Sequence, residues 1–195
     1  MRHIHIKYFI CDKLLQLMTQ NNVIEWSEQY LLNVSDFMAE SNPGVFEDSH
    51  SFIKYGFTWI VDSEKLNEKI VFSINEIKLS TEFHSLLSWI RVSKNNDLLL
   101  KHEQGHFDLA EQIKRKYQKI FENSFYNKYF PTRGQNESQR KQFAKEDSGK
   151  MIINEVKKLN LNLNEKRDEY DQKTDFGKNF LEQKKYDELF NKLRN

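Results

Sequence analysis

His102-Glu103-Gln104-Gly105-His106 is the stretch whose residue types and spacing point most directly to chemistry. Two histidines four residues apart advance a helix by little more than one turn, so both imidazoles face one side and can share a metal ion. Glu103 sits beside them, placed to take a proton from a metal-bound water. This H-E-x-x-H spacing is a zinc-hydrolase signature. The purely structural alternative is a pair of core histidines, because His102 and His106 fall on the same stripe as Leu109, Ile113 and Tyr117. Gly105 adds a constraint: glycine inside a helix costs about 1 kcal/mol against alanine, which implies a close neighbour there.

The chemistry requires a helix under the motif, and the sequence supplies one. Leu98, Leu99, Leu109, Ala110, Ile113, Tyr117, Ile120 and Phe121 recur at helical spacing, predicting a helix from Asp97 to Phe125. Asn95, Asn96 or Asp97 can cap its start. Before it stand three strand candidates, Tyr55–Asp62, Lys69–Leu79 and His84–Val92, with short polar connections that suit an antiparallel sheet. After it, Pro131 to Asn136 is the clearest break. A helix from Glu137 to Leu161 follows, with Phe143, Met151, Ile152, Val156 and Leu159 as its buried side. Asn160 to Asn164 reads as a weak break, and Lys166 to Leu193 as helix interrupted near Thr174 to Gly177. A further short helix is expected over Lys7–Thr19. Strands first and helices afterwards give an α+β fold, a small antiparallel sheet followed by the metal-motif helix and C-terminal helices. His84–Val92 is either the rim strand of a cleft, open to an extended peptide by strand addition, or an interior strand with Trp89 in the core.

Composition bounds the rest. At 195 residues, one domain with a real core is expected, and 38% hydrophobic with 13% aromatic residues suits a soluble globular chain. Thirty basic against 29 acidic residues leave a net charge of +1, which offers no electrostatic footprint for nucleic acid or an anionic membrane. With Cys11 as the only cysteine, neither an intramolecular disulfide nor a cysteine zinc cluster can form, so a metal must use His, Asp or Glu. The apolar run near the N-terminus is broken by Asp12 and Lys13, short of a signal-peptide core, and no run reaches the length of a membrane helix. No clear signal peptide leaves the cytoplasm as the default compartment. The oligomeric state is not legible.

Motifs spread along the chain resemble one family, the DUF922 proteins, described as predicted bacterial zinc-dependent proteases that are usually secreted. Leu99 to Glu111 is similar to that family's extended H-E-Q-G-H-F-D signature. Trp26 with Asp36-Phe37 resembles its N-terminal tryptophan and D-F pair, and Ser88-Trp89 the S-W before the metal helix. Tyr170-Asp171-Gln172-Lys173-Thr174-Asp175-Phe176-Gly177 is similar to its Y-D-x-x-T-x-H-G segment, with Gln183 and Tyr186 near a later glutamine and aromatic. The resemblance implies a zincin-like metallopeptidase acting on a peptide or protein substrate with Zn2+ as cofactor. It covers roughly residues 24 to 190, so residues 1–23 are taken as an N-terminal extension and 24–195 as a single domain.

One position departs from the family pattern: Phe176 stands where the pattern has histidine, a reasonable third zinc ligand. A catalytic zinc normally keeps three protein ligands and a water. Asp175, adjacent to that position in a break, is the first substitute. Asp171 is the second, and it could equally hydrogen-bond a ligand imidazole. His84 at the sheet end is the third. Glu111 lies about 140° round the helix from His106, and Glu122 roughly 24 Å along it, so neither is expected to reach. The catalytic reading is therefore metal on His102, His106 and Asp175, Glu103 as general base and Tyr170 as hydroxyl donor to the oxyanion. The alternative is a catalytically inactive zincin-like relative that binds a peptide or protein, with Phe176 as its mark. An interaction module built on the amphipathic helices after Pro131 is a third option.

Overall fold

The computed structural model describes residues 22–91 and 96–195. In chain order the elements are β1 (Val23–Glu25), β2 (Ser49–His50), β3 (Ile53–Leu66), β4 (Lys69–His84), β5 (Trp89–Ile90), α1 (Asn96–Phe125), β6 (Phe130–Pro131), α2 (Glu137–Thr174) and α3 (Phe180–Arg194). The expected helix over Lys7–Thr19, the cap at Asn95 and the strand end at Val92 lie outside the described residues. Val23 already belongs to β1, one residue before the expected domain start.

β3 and β4 form a long antiparallel hairpin, closed by Asn67 and Glu68. Both have positive φ, 46° and 66°, which is what a two-residue turn needs to match the twist of its strands. β4 is the central strand: β1 pairs with its end, β6 with its start, and β3 along its length. Its uneven alternation has a physical origin. Ile60 faces Glu76 but Val61 faces Ile74, leaving Asn75 as an extra residue in β4. The bulge changes which side of the strand each residue meets, so Phe72 and Ile74 are buried before it and Ile77, Leu79, Thr81 and Phe83 after it.

α1 packs on β4, α2 and α3, while α2 also packs on β3. Phe107, Ala110, Ile113, Phe121 and Phe125 of α1 meet Phe72, Ile77 and Phe83 of the sheet in one apolar core with Ile152, Leu159 and Leu163 of α2. Among the described residues, mixed α and β structure with an antiparallel sheet and three α-helices is the α+β arrangement expected. Among the described residues no helix is long and apolar enough to cross a membrane.

Two expectations are corrected. His84–Val92 is not one strand: β4 ends at His84, Ser85–Leu87 make a 3-10 turn, and only Trp89–Ile90 continue as strand, paired with β2. Ser88 fixes that turn by donating to the His84 carbonyl and accepting from the Phe52 amide. The break at Asn160–Asn164 is absent, and α2 runs through it, because Leu159 and Leu163 are buried on one face and Asn160 donates to the Val156 carbonyl one turn back. Packing overrides the local preference of asparagine. Glu111, not expected to reach the metal, is buried, accepting from Thr81 and paired with Lys114 and Arg115.

Candidate metal centre

The motif helix explains itself residue by residue. Gln104 accepts a bond from the Leu32 amide at 2.7 Å and donates to Asp108 at 3.0 Å. Asp108 also receives the Trp26 indole N–H at 2.7 Å and the Arg194 guanidinium. A methyl group on Gly105 would stand 2.0 Å from the Tyr170 hydroxyl, so the glycine is required by the helix that crosses there, as the sequence implied. Phe107 is fully buried in the core.

His102 and His106 lie on the buried face of α1, and α2 brings Asp171 to them. The Nε2 atoms of both histidines stand 3.0 Å from the same oxygen, Asp171 Oδ1. On the far side of the His102 ring, Nδ1 faces Gln183 Oε1 at 3.3 Å and Thr174 Oγ1 at 3.4 Å. Thr174 spends its own proton on the Tyr170 carbonyl, so its oxygen accepts from His102. The proton of His102 therefore belongs on Nδ1, and Nε2 turns its lone pair toward Asp171. Lone pairs converging on a carboxylate oxygen repel unless a cation or proton lies between them. Two imidazole nitrogens and one carboxylate oxygen are a donor set that zinc accepts, and the three ligand atoms lie within 4.8 Å of one another. His106 differs in that its buried Nδ1 has no hydrogen-bond partner among the described residues.

Electrostatics follow from this geometry. Burial works against the charge on Asp171, yet a proton held between its oxygen and the imidazoles of His102 and His106 keeps its carboxyl far below the usual range. Burial, with the Arg167 charge nearby, pushes His106 down, toward the neutral form that a metal ligand must have. Glu103 is buried too, which alone would raise its pKa. The two histidines and hydrogen bonds from Ser49 and Ser51 outweigh that penalty and keep it a carboxylate.

A cavity of about 790 Å³ opens over these groups. Ser49 and His50 of β2, Trp89 of β5, Leu99 of α1 and Arg167 of α2 are in its wall. The ladder of β2 and β5, and not a long strand, thus forms the strand side of the cleft. Asp175 lines the same cavity, exposed, as the left-handed residue closing α2 (φ 48°), but its carboxylate is not in the converging group; Asp171 takes that place. Phe176 follows in the same left-handed conformation, half exposed, its ring centroid 6.5 Å from that of His102. Gly177, at φ +83°, lets the turn press on His102, where a methyl group would lie 3.0 Å from His102 Cβ.

Tyr170 is not placed as an oxyanion donor. Fully buried, it stacks flat on the His102 ring at 4.7 Å, accepts from Gln183 at 2.8 Å and donates to the His102 carbonyl at 3.3 Å. It sets the position of the His102 ring. His84 pairs with Glu82 at the sheet end and is absent from the cavity wall. Sequence reasoning missed Ser49, Ser51 and Arg167, which carry no spacing signal because they lie on other elements than the motif. Compared with family models, with curated proteins and with solved structures, the chain matches none of them.

Proposed function

We propose that this chain is a zinc-dependent metallopeptidase whose metal is held by His102, His106 and Asp171. The observation that carries the reading is the convergence of both imidazole Nε2 atoms and one Asp171 oxygen beside a Glu103 kept ionised in a cavity wall. A bound zinc would supply Lewis acidity, lowering the pKa of a water and polarising a carbonyl. The chain's own groups do the rest. Glu103 accepts a proton at a carboxylate oxygen and returns it to the leaving amine, with Ser49 and Ser51 fixing its orientation. Gln183 and Thr174 hold the His102 tautomer, as the partners of metal-ligating histidines do. The resemblance to the DUF922 proteases supports the same class, since Trp26, Asp171, Thr174, Gly177 and Gln183 all pack on or around the motif helix.

One observation favours a second reading, a non-catalytic relative that binds a peptide: Phe176 in the cavity wall at the position where that family has histidine. Elemental mass spectrometry and proteolysis of casein separate the two. The metallopeptidase reading expects about one zinc per chain, lost in H106A and D171A and kept in E103Q, with casein cleavage abolished in all three. Zinc retained with no cleavage by the parent protein supports the binding module. Failure to take up stoichiometric zinc, or equal cleavage by E103Q and parent, rejects the assignment.

A further inference from the structure

α2 gives the cavity more than Asp171. Asn164, Arg167, Asp168, Asp171 and Asp175 recur at helical spacing and line one wall. Arg167 is half-buried and lies one turn before Asp171, about 6 Å along the axis. Its charge reaches both His106 and His50 across the cavity, lowering the pKa of each. Yet among the described residues it makes neither a hydrogen bond nor an ion pair. The inner carboxylates are occupied elsewhere: Asp171 by the imidazoles, Glu103 by the serines. The guanidinium stands in the cavity wall with none of its nitrogens sealed from solvent, so its five donors are open to an anion that enters.

We infer that Arg167 is the anion anchor of this cavity and that the substrate presents a carboxylate to it while its scissile carbonyl lies at the metal group. This rests on the metal reading above. With a divalent cation on the two imidazoles, Asp171 and Glu103 are balanced and Arg167 is the surplus positive charge, which a ligand carboxylate neutralises. Glu47, Asp48, Asp168, Asp175 and the second cation of the lining, Lys178, are exposed at the rim, where solvent and salt screen them, and Asp48 is paired with Arg91. The guanidinium fork matches a carboxylate bidentately, in a geometry that lysine cannot reproduce. That carboxylate is either the α-carboxylate of a chain end or the side chain of an acidic residue.

Calorimetric titration of the zinc-loaded protein with four hydroxamates tests this without requiring turnover. The hydroxamate of succinylglycine carries a free α-carboxylate and is paired with that of succinylglycinamide. The hydroxamate of succinylglutamic acid α-amide carries a side-chain carboxylate and is paired with its glutamine counterpart. The acid of at least one pair should bind about ten- to a hundredfold more tightly than its amide, the value of a charge-assisted hydrogen bond. Preference in the first pair assigns a chain end, and preference in the second an acidic side chain. In R167A the preference should vanish, and R167K should restore only part of it. All four binding with equal affinity overturns the anchor and leaves the metal site standing, as does a preference that survives in R167A. No binding by any of them overturns the metal reading and the anchor together.

Discussion

Asp171 and Asp175 are four residues apart, and only three-dimensional placement separates their roles. Asp171 is still inside α2 and turns its carboxylate onto both imidazoles; Asp175 has left the helix with a left-handed backbone and faces solvent at the cavity rim. Zinc affinity, measured by competition with a chromophoric chelator, should therefore fall at least a hundredfold in D171N and stay within about twofold in D175N. The reverse pattern would return the ligand role to Asp175. His102, Glu103 and His106 were legible because their relation is local, set by 3.6 residues per turn. The third carboxylate was not, because α2 had to be placed against α1 first. Adjacency to the histidine position of the resembling family pointed to Asp175, while the helix extending to Thr174 carries Asp171 inward instead.

α1 and α2 come into close contact at Gly105 and Tyr170. The Tyr170 hydroxyl lies where a Cβ would be, its ring stacks on His102, and Tyr186 and Phe190 of α3 close around it edge-on. G105A should therefore destabilise the metal-free protein by about 1–3 kcal/mol in urea unfolding, despite the gain in helix propensity alanine brings. Y170F removes the nearest atom, so the double variant G105A/Y170F should cost less than the two single changes together. Additive costs would mean that the helices do not touch there. The glycine was readable in advance as a close approach, though its partner was not. The strands were readable as far as their alternation allowed, and the bulge at Asn75 is why β4 looked irregular in sequence: its buried parity changes midway. Where Ser85–Leu87 make a 3-10 turn, the apolar residues Leu86 and Leu87 imitate a strand while lying exposed. α2 looked broken at Asn160–Asn164 because asparagine is a poor helix former, a local cost that burial of Leu159 and Leu163 outweighs.

Across the whole molecule, the motif helix gathers segments far apart in sequence. Asp108 binds Trp26 from the first strand region and Arg194 from the last helix, and Arg194 also donates to the carbonyls of Ser27, Glu28 and Tyr30. The cluster of His102, His106 and Asp171 repeats this on the other side, joining α1 to α2. A ligand that bridges two elements binds the folded chain and not the unfolded one, so zinc should stabilise by about 2.7 kcal/mol when free metal is a hundredfold above Kd. For a domain of this size that is a rise in Tm of roughly 5–11 °C. The pH dependence has a definite sign. His106, Glu103 and Asp171 all have pKa values lowered on folding, so each binds protons more readily in the unfolded chain. Their stabilisation is complete above the ordinary histidine value of about 6.5, and acidification removes it, first through His106 and then, below about pH 4, through the two carboxyls. Metal-free protein should thus lose Tm steadily from pH 7 to pH 4. The increment from zinc should shrink over the same range, because protonated imidazoles cannot ligate. Differential scanning fluorimetry with and without zinc, for parent and D171N, checks both trends at once. A zinc increment that persists unchanged at pH 4, or is equal in D171N, would place the metal on other groups than the His102, His106 and Asp171 cluster.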